Sequence, residues 1–485
     1  MSGQGHAARL LIMSRLGRAG QAKTRLADTM GAEGAAQLQT RMTQHVVRMA
    51  RHAAAVADGR RRISVEGWVS GGTAVEGRRE LGISCRVQHG RDLGQRIGTA
   101  LGAAFARGAG VAAVLGGDCP LLDGAAIAAA IDAADNSGAA IVPADDGGYC
   151  LLALRRNVVA GSDRLAAVLD GIDWGGAEVC TQQVARLHDA GIQVARMPRS
   201  ADIDRAADLE LWSQLCDEWY GAIDGISVVV PTLNEAAHIR TCIEYVCRMA
   251  SGPGDVAAAV ATDPGDAAAV LPAGTTPSSG LPGLPIEIIV VDGGSTDGTD
   301  EIVRNLIAHT AGSDWYTRRP VQLRLIRVAG ADRSAQLNAG AAAARHRALV
   351  FLHADTLVPD SWNQVVAEAL TAPDAGLCAF RFGFDDTAAT MRLFAAGTRL
   401  RGRIAHTPYG DQAFCCRRAF FRSLGGFPAG TCEDLGFVLR ARAADPVRIL
   451  PATVSTSARR YREHGAWRTM LGHRLAAARY RPPKE

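Results

Sequence analysis

Acidic side chains in the second half of the sequence follow short apolar runs that have the composition of buried strands. Asp292 follows "IEIIVV", Glu235 lies just after "ISVVV" and Pro231, and Asp355 follows "ALVFL" and His353. Because ligands of an open parallel sheet bind at the carboxyl ends of its strands, we expect these side chains to meet at one edge. Each acid alone is also typical of a turn or a helix cap, but carboxylates that lie close together are costly without a cation or a positive ligand between them.

His353 and Asp355 are candidate ligands of a hard divalent cation. Carboxylate oxygen and imidazole nitrogen suit Mn²⁺ or Mg²⁺, and such an ion would neutralise a diphosphate. The pattern therefore predicts Mn²⁺ or Mg²⁺ as the cofactor at this strand end.

Two further groups in this half allow two interpretations each. Asp434 opens a predicted helix, where it is either an N-terminal cap or a base that takes a proton from an attacking hydroxyl. Arg459, Arg460 and Arg462 form either a solvated basic face or a set of guanidinium groups that pair with phosphate oxygens.

The first half of the sequence places basic and acidic residues at similar points. Lys23 and Arg25 lie in a Gly-containing loop after the first predicted strand, where basic residues suit phosphate binding. Asp118 ends the apolar run "GVAAVLGG". Asp202 and Asp204 lie at the start of a predicted helix over 201–220 and are either caps or ligands.

The elements that must position these residues alternate between short strands and Ala-rich helices, which predicts α/β domains with mostly parallel sheets. One series begins with "ARLLIM" and a second with "GISVVV", more than two hundred residues later. We therefore predict two tandem domains, 1–222 and 223–485. The segment 250–285 is rich in Ala, Gly and Pro and lacks aromatic residues, so we interpret it as a flexible insertion in the second domain.

Composition excludes some classes of function. A net charge of +4 over 485 residues is small, so nucleic acid is not an expected partner. The eleven cysteines form no CxxC pair, so we interpret them as reduced thiols of a cytoplasmic protein. No run of 18 apolar residues could span a membrane. The basic tail after Arg459 either packs on the domain or makes a peripheral contact with an anionic membrane surface.

The motifs of the second half resemble those of family 2 glycosyltransferases. "SVVVPTLNEAAHI", "IIVVDGGSTDGT", "RSAQLNAG", "VFLHADT", "YGDQAF", "GGFP", "ED" and "TSARRY" occur in the family's order over residues 226–475. The branch that looks most similar is the one associated with arsenosugar biosynthesis. The resemblance implies a GT-A fold, a nucleotide-diphosphate sugar as donor, a divalent metal, an unknown hydroxyl acceptor and inversion at the anomeric carbon.

The resemblance also implies a role for particular residues. His353 and Asp355 would bind the metal, with His353 in place of the usual first acid, and Asp434 would be the base. Asp292 would contact the base or ribose of the nucleotide rather than only shape its turn. The implied substrate-binding residues are Pro231, Glu235, Asp292, Arg333, Asp411, Gln412, Arg459 and Arg460.

The first half resembles a bacterial family of GT-A-like proteins of unassigned function and, more distantly, the sugar and cofactor nucleotidyltransferases. The matching stretches are "GQAKTRLAD", "GRDLGQRI", "GGDCP", "DDGGYCLLAL" and "DIDRAADL". The resemblance implies that Lys23 and Arg25 meet phosphates. It also implies that Asp118, with Asp202 or Asp204, holds a metal.

We therefore expect two GT-A-type (Rossmann-like) domains in tandem. The second is predicted to be a metal-dependent inverting glycosyltransferase, and the first a second nucleotide-sugar-binding domain. Two alternatives stay open for the first domain: a nucleotidyltransferase that makes the activated donor, or a non-catalytic nucleotide-binding scaffold.

Overall fold

The computed structural model of the chain describes residues 6–57, 60–250, 284–310, 321–330, 332–386, 388–430, 432–459 and 462. Arg460, the basic tail and nearly all of the predicted insertion at 250–285 lie outside these ranges. The chain forms two compact units, the first largely Met1–Asp217 and the second largely Glu218–Phe421 with Gly426–Pro483. Each unit is an α/β layer structure around its own sheet, which confirms the predicted fold class.

The first unit contains a seven-stranded sheet of order β3-β2-β1-β4-β6-β5-β7. Only β6 runs antiparallel to its neighbours β4 and β5, and the other pairs are parallel. The strands are β1 (Ala8–Arg15), β2 (Ile63–Ser70), β3 (Cys85–Val87), β4 (Val111–Gly116), β5 (Gly138–Pro143), β6 (Tyr149–Arg155) and β7 (Gln193–Arg196).

Helices cover both faces of this sheet, so its central strands are apolar on both sides, as in "VAAVLG" of β4. Aspartate caps fix two of the helix starts: Asp92 accepts from the Gln95 amide and Asp123 from the Ala126 amide, each at 2.8 Å. The helices are α1 (Ala27–Val56, broken at Gly31), α2 (Ala74–Leu81), α3 (Leu93–Ala106), α4 (Gly124–Ser137), α5 (Ser162–Ala167), α6 (Val179–Asp189) and α7 (Leu209–Tyr220).

The helix predicted over 201–220 begins only at Leu209, after a short 3₁₀ turn. The reason is the side chain of Asp208, which accepts hydrogen bonds from the amides of Asp204 and Arg205 at 2.9 and 2.7 Å. These bonds hold the preceding residues in an extended loop instead of a helix.

The second unit contains an eight-stranded mixed sheet of order β10-β9-β8-β11-β14-β13-β15-β12. The four strands from β10 to β11 are parallel, and β14 is antiparallel to both of its neighbours. The strands are β8 (Ile226–Thr232), β9 (Ile286–Asp292), β10 (Val321–Arg327), β11 (Ala348–Phe351), β12 (Thr356–Leu357), β13 (Cys378–Phe384), β14 (Phe414–Arg417) and β15 (Arg448–Thr456).

The core of this unit lies between β8, β9 and β11 and the helices that follow them. Val228, Ile288 and Val350 are fully buried there against Ile243 and Val246 of the first helix. The helices are α8 (Ile239–Met249), α9 (Thr299–Thr310), α10 (Arg333–Ala343), α11 (Trp362–Thr371), α12 (Ala389–Ala405), α13 (Arg418–Ser423) and α14 (Glu433–Ala444).

All eleven cysteines are free thiols, and eight of them are buried. Within the described ranges, no helix combines the length and the hydropathy that a membrane span requires.

Candidate functional site

The carboxyl ends of β8, β9 and β11 lie side by side in the second unit. Thr232 at the end of β8 is in register with Asp292 at the end of β9, and Val229 of β8 is in register with Phe351 of β11. The loops that follow these strands therefore begin at one edge of the sheet, where the sequence predicts the site.

Hydrogen bonds join the loops after β8 and β9. Asn234 adopts the left-handed conformation (φ 58°), which asparagine tolerates better than most residues. Its amide donates to Ser295 Oγ, and its side-chain oxygen accepts from the Thr296 amide, both at 2.9 Å. The Glu235 amide donates to Thr299 Oγ1 at 2.9 Å. These bonds fix the position of Glu235 relative to β9.

Asp292 is 2% exposed, and its carboxylate is hydrogen-bonded within the protein. Oδ2 accepts from the amides of Gly294 and Ser295 at 3.0 Å, and Oδ1 accepts from the hydroxyls of Ser295 and Thr232. The structure thus shows the turn-forming role that the sequence also allows. The nucleotide contact stays a prediction.

Gln336 of α10 is a buried support of this edge that the sequence did not single out. Its amide nitrogen donates to the carbonyls of Thr232 and Val291 at 2.7 and 2.9 Å. A Cβ at Gly293 would lie 2.8 Å from the same nitrogen, so only glycine fits there. The glutamine within "RSAQLNAG" was the signal that could have indicated this role, because a side-chain amide that is buried needs hydrogen-bond partners.

The side chains of His353 and Asp434 both lie next to Gly410, near the end of β11. The Gly410 amide donates to Asp434 Oδ2 at 3.0 Å. A Cβ at Gly410 would lie 3.2 Å from His353 Nε2 and 3.5 Å from Asp434 Oδ2, so both side chains border one point. Asp434 Oδ1 also accepts from the Leu435 amide at 2.7 Å in the first turn of α14. The imidazole and carboxylate predicted to act here are therefore neighbours.

Asp355 lies two residues after His353, and its backbone oxygen accepts from the Ser457 amide at 3.1 Å. Burial, followed by the charge of Asp355, raises the pKa of the Cys242 thiol beneath this edge. Within the described ranges no group of three or more His, Cys, Asp and Glu side chains is arranged to hold a metal. One imidazole and one carboxylate do fit Mn²⁺ or Mg²⁺, which complete their coordination with phosphate oxygens and water.

Arg459 contacts the loop that follows β8. Its Nη1 lies 3.0 Å from His238 Nε2, and its Nη2 lies 3.9 Å from Glu235 Oε2. The Arg459 side chain is 39% exposed, so it is partly accessible to a ligand. His238 is a second residue that the sequence analysis missed.

Arg333 opens α10, and its Nη1 lies 3.6 Å from Glu433 Oε1 at the start of α14. Burial raises the pKa of Glu433, and the nearby charge of Arg333 opposes this rise. Arg333 thus has an acidic partner directly beside Asp434.

Pro231 and Gln412 are buried parts of the scaffold. Gln412 is 2% exposed, accepts from the Tyr409 amide and donates to the Phe380 carbonyl. The Asp411 carbonyl accepts from Thr456 Oγ1 at 3.1 Å. Their substrate-binding roles stay predictions.

The first unit places Lys23 between two of its predicted metal ligands. Lys23 Nζ donates to Asp118 Oδ2 at 2.8 Å and to Asp204 Oδ1 at 3.2 Å, and its side chain is 4% exposed. Burial lowers the pKa of Lys23, but the charges of Asp118 and Asp204 outweigh this effect and raise it above the ordinary value. The sequence analysis assigned phosphates to Lys23, whereas the structure gives it carboxylate partners.

Arg25 and Asp202 complete this cluster. Arg25 Nη1 donates to Asp204 Oδ2. Burial, followed by the charges of Asp118 and Asp146, raises the pKa of Asp202 to about 6. The structure therefore brings together all five residues that were predicted for the first unit. Their roles in binding a metal or phosphates stay predictions.

Two family models match the chain. Residues 47–176 match the model described as "Uncharacterized protein conserved in bacteria (DUF2064)", and residues 227–424 match the model of glycosyl transferase family 2. No curated protein matches the chain.

Several solved structures are similar to parts of it. A candidate nucleotide-diphospho-sugar transferase from Desulfovibrio desulfuricans G20 is 26% identical over 43% of this chain and 87% of its own, with a TM-score of 0.38. The mannosyltransferase PcManGT from Pyrobaculum calidifontis, in complex with GDP-Man and Mn²⁺, is 20% identical over 51% of this chain, with a TM-score of 0.32. TarS 1–349 of S. aureus, in complex with UDP-GlcNAc, is 17% identical over 48% of this chain, with a TM-score of 0.32.

This chain spans 64% of the matched mannosyltransferase chain and 58% of the matched TarS chain. At these TM-scores the similarity says nothing about activity. The arsenosugar branch finds no counterpart among these proteins. The family match of residues 227–424 is the informative one, because this part of the second unit matches the model of glycosyl transferase family 2.

Proposed function

We propose that the second unit transfers a sugar from a nucleotide-diphosphate donor to a hydroxyl acceptor, with inversion at the anomeric carbon and with the help of a divalent cation. The observation that carries this proposal is that His353 and Asp434 both lie next to Gly410, at the edge where three parallel strands end. The family 2 match supports sugar transfer. The matched mannosyltransferase and TarS chains bind nucleotide sugars, and the proposed donor is of the same class.

Asp434 is the proposed base. Each of its carboxylate oxygens accepts one backbone amide, from Gly410 or Leu435, so the group is held in place and keeps lone pairs for a proton. As the acceptor oxygen bonds to the anomeric carbon, its proton passes to Asp434 and the bond from that carbon to the diphosphate oxygen breaks. A single displacement of this kind inverts the carbon and needs no covalent enzyme intermediate.

Arg459, together with His353 and Asp355 after β11, would stabilise the departing diphosphate. The partly exposed Arg459 side chain carries a guanidinium that can pair with phosphate oxygens. His353 and Asp355 would hold Mn²⁺ or Mg²⁺, which neutralises diphosphate charge when bound. Glu235, whose backbone is fixed by Thr299, would help to orient Arg459 from the other side.

Replacing Asp434 and Asp355 separately by asparagine tests this function. We expect each variant to lose sugar transfer, and the loss of a general base alone costs roughly 10²- to 10⁴-fold in rate. The assay would use a panel of UDP- and GDP-sugars with Mn²⁺ and would record nucleoside diphosphate release. Asp374→Asn is the matched control, because Asp374 is 62% exposed and pairs with Arg448 on the surface of the second unit. Wild-type rates in both test variants would overturn the mechanism.

We also propose that 1–222 and 223–485 are separate functional domains, the first of which binds a nucleotide sugar. Its two alternatives, donor synthesis and scaffolding, make different predictions for the full chain with Asp434→Asn. Pyrophosphate release from nucleoside triphosphates and sugar phosphates would favour donor synthesis.

A peripheral membrane contact of the tail stays a prediction, since the tail lies outside the described residues.

A further inference from the structure

Lys23 occupies the position at which a bridging cation would join Asp118 and Asp204. Its ammonium contacts one oxygen of each carboxylate, at 2.8 and 3.2 Å. The second oxygen of Asp204 accepts from Arg25. Three of the four oxygens of this carboxylate pair are therefore directed at side-chain cations of the protein itself.

Segments from distant parts of the chain position Lys23, Asp118 and Asp204. Lys23 has a left-handed backbone (φ 48°, ψ 47°), a conformation that costs energy for a residue with a side chain. The Ile203 amide donates to the Asp118 carbonyl at 3.0 Å, which ties the segment that carries Asp204 to the end of β4. Contacts 95 and 181 residues apart in sequence thus converge on one ammonium.

The choice of lysine is notable in this chain. Lys23 is one of two lysines among the 53 lysine and arginine residues. An ammonium is a compact point charge with three donors, whereas a guanidinium is a planar fork. A buried position between two separate carboxylates requires a compact cation. Lysine meets this requirement, although the chain contains only two lysines.

We propose that Lys23 is a built-in counter-ion that replaces a divalent metal in the first unit, so that this unit binds its ligand without Mn²⁺ or Mg²⁺. Asp118 and Asp204 are then not metal ligands in the native protein. This inference does not rest on the proposed function of the second unit.

The test is a count of bound Mn²⁺ per full-length chain by electron paramagnetic resonance. We expect Asp118→Asn to leave the wild-type count unchanged. We expect Lys23→Met to bind one additional Mn²⁺, because it frees the carboxylate pair, and Asp118→Asn in the Lys23→Met background to remove that ion. Lys484→Met, which changes the other lysine, should not alter the count.

Two results would overturn the proposal: loss of a wild-type Mn²⁺ in Asp118→Asn, or no additional Mn²⁺ in a folded Lys23→Met variant. If Lys23→Met does not fold, the comparison of the wild type with Asp118→Asn still decides the question. Asp355→Asn separates the two units, since any Mn²⁺ lost in that variant belongs to the second one.

Discussion

Asp118 follows β4 in the first unit and Asp292 ends β9 in the second, and the two units stabilise their aspartates by different means. In the first unit, Asp118 and Asp204 are paired with the side-chain cations of Lys23 and Arg25. In the second, Asp292 and Asp434 accept hydrogen bonds from backbone amides, with two hydroxyls added at Asp292.

This difference shows that carboxylates at the edge of a sheet can have their negative charge neutralised by side-chain cations or can keep it. A carboxylate paired with an ammonium has a neighbour that already cancels its charge. A carboxylate that accepts backbone amides is held in position but stays negative, and can still attract a proton or a cation. We therefore associate the chemistry with the second unit.

The largest effect that would sharpen this comparison is expected from Arg459→Ala. Arg459 would stabilise the charge that develops on the leaving diphosphate, and removal of one such donor costs about 10²- to 10³-fold in kcat. Steady-state kinetics with a nucleotide sugar and Mn²⁺ would measure the loss. Arg448→Ala is the control, because Arg448 pairs with the exposed Asp374. Equal rates for Arg459→Ala and Arg448→Ala would mean that the donor diphosphate does not bind at Arg459.

A charge-paired cluster also exists in the second unit, in the amino-terminal half of β9. Glu287 is 1% exposed, pairs with Arg324, and accepts from Ser227 Oγ and the Arg345 amide at 2.9 and 3.0 Å. We expect Glu287→Gln to lower the free energy of unfolding by about 3 kcal/mol, because it leaves Arg324 without its buried partner. Chemical denaturation would measure this change.

The same residue predicts a pH dependence. Burial opposes ionisation of Glu287, but its hydrogen bonds, first among them that from Arg324, lower its pKa below the ordinary value. A lowered folded-state pKa adds stability that is complete above the unfolded-state pKa and is lost as pH falls through the folded-state pKa. The wild type should therefore lose more stability than Glu287→Gln on acidification below about pH 4.5. Parallel pH profiles for the two proteins would contradict this assignment.

A smaller effect is expected from Asp292→Asn. The amide keeps one acceptor oxygen but cannot accept every hydrogen bond that the carboxylate now receives, which costs about 1–2 kcal/mol. Thermal unfolding would record this loss, and donor KM would report separately on the predicted nucleotide contact. If KM rises while stability is unchanged, Asp292 acts on the nucleotide and not on the turn.

Much of the architecture could be predicted because it depends on local patterns. Apolar runs such as "VAAVLG" identified the strands, and the alternation with helices identified two α/β units. The rule that loops at the carboxyl ends of parallel strands share one edge correctly predicted that the loops after β8, β9 and β11 begin side by side. None of these inferences needed a contact between particular side chains.

The features that were missed depend on distant contacts. Gln336 supports strand ends that lie 45 and 104 residues away in sequence, and Lys23 contacts acids that lie 95 and 181 residues away. A basic loop that binds phosphate and a basic loop that neutralises carboxylates have the same composition. Only the position of the ammonium distinguishes them, and a single sequence does not contain that position.

The bonds between Asn234, Ser295 and Thr296 have a consequence for how this chain tolerates change. The two loops that they join are separated by the whole length of α8, the segment up to Leu284 and β9. Their alignment is set by strand register and by the polar side chains of Asn234 and Ser295, and not by the distance along the backbone. Evolution can therefore lengthen or shorten the chain between Ala250 and Leu284 without displacing the strand ends that it connects.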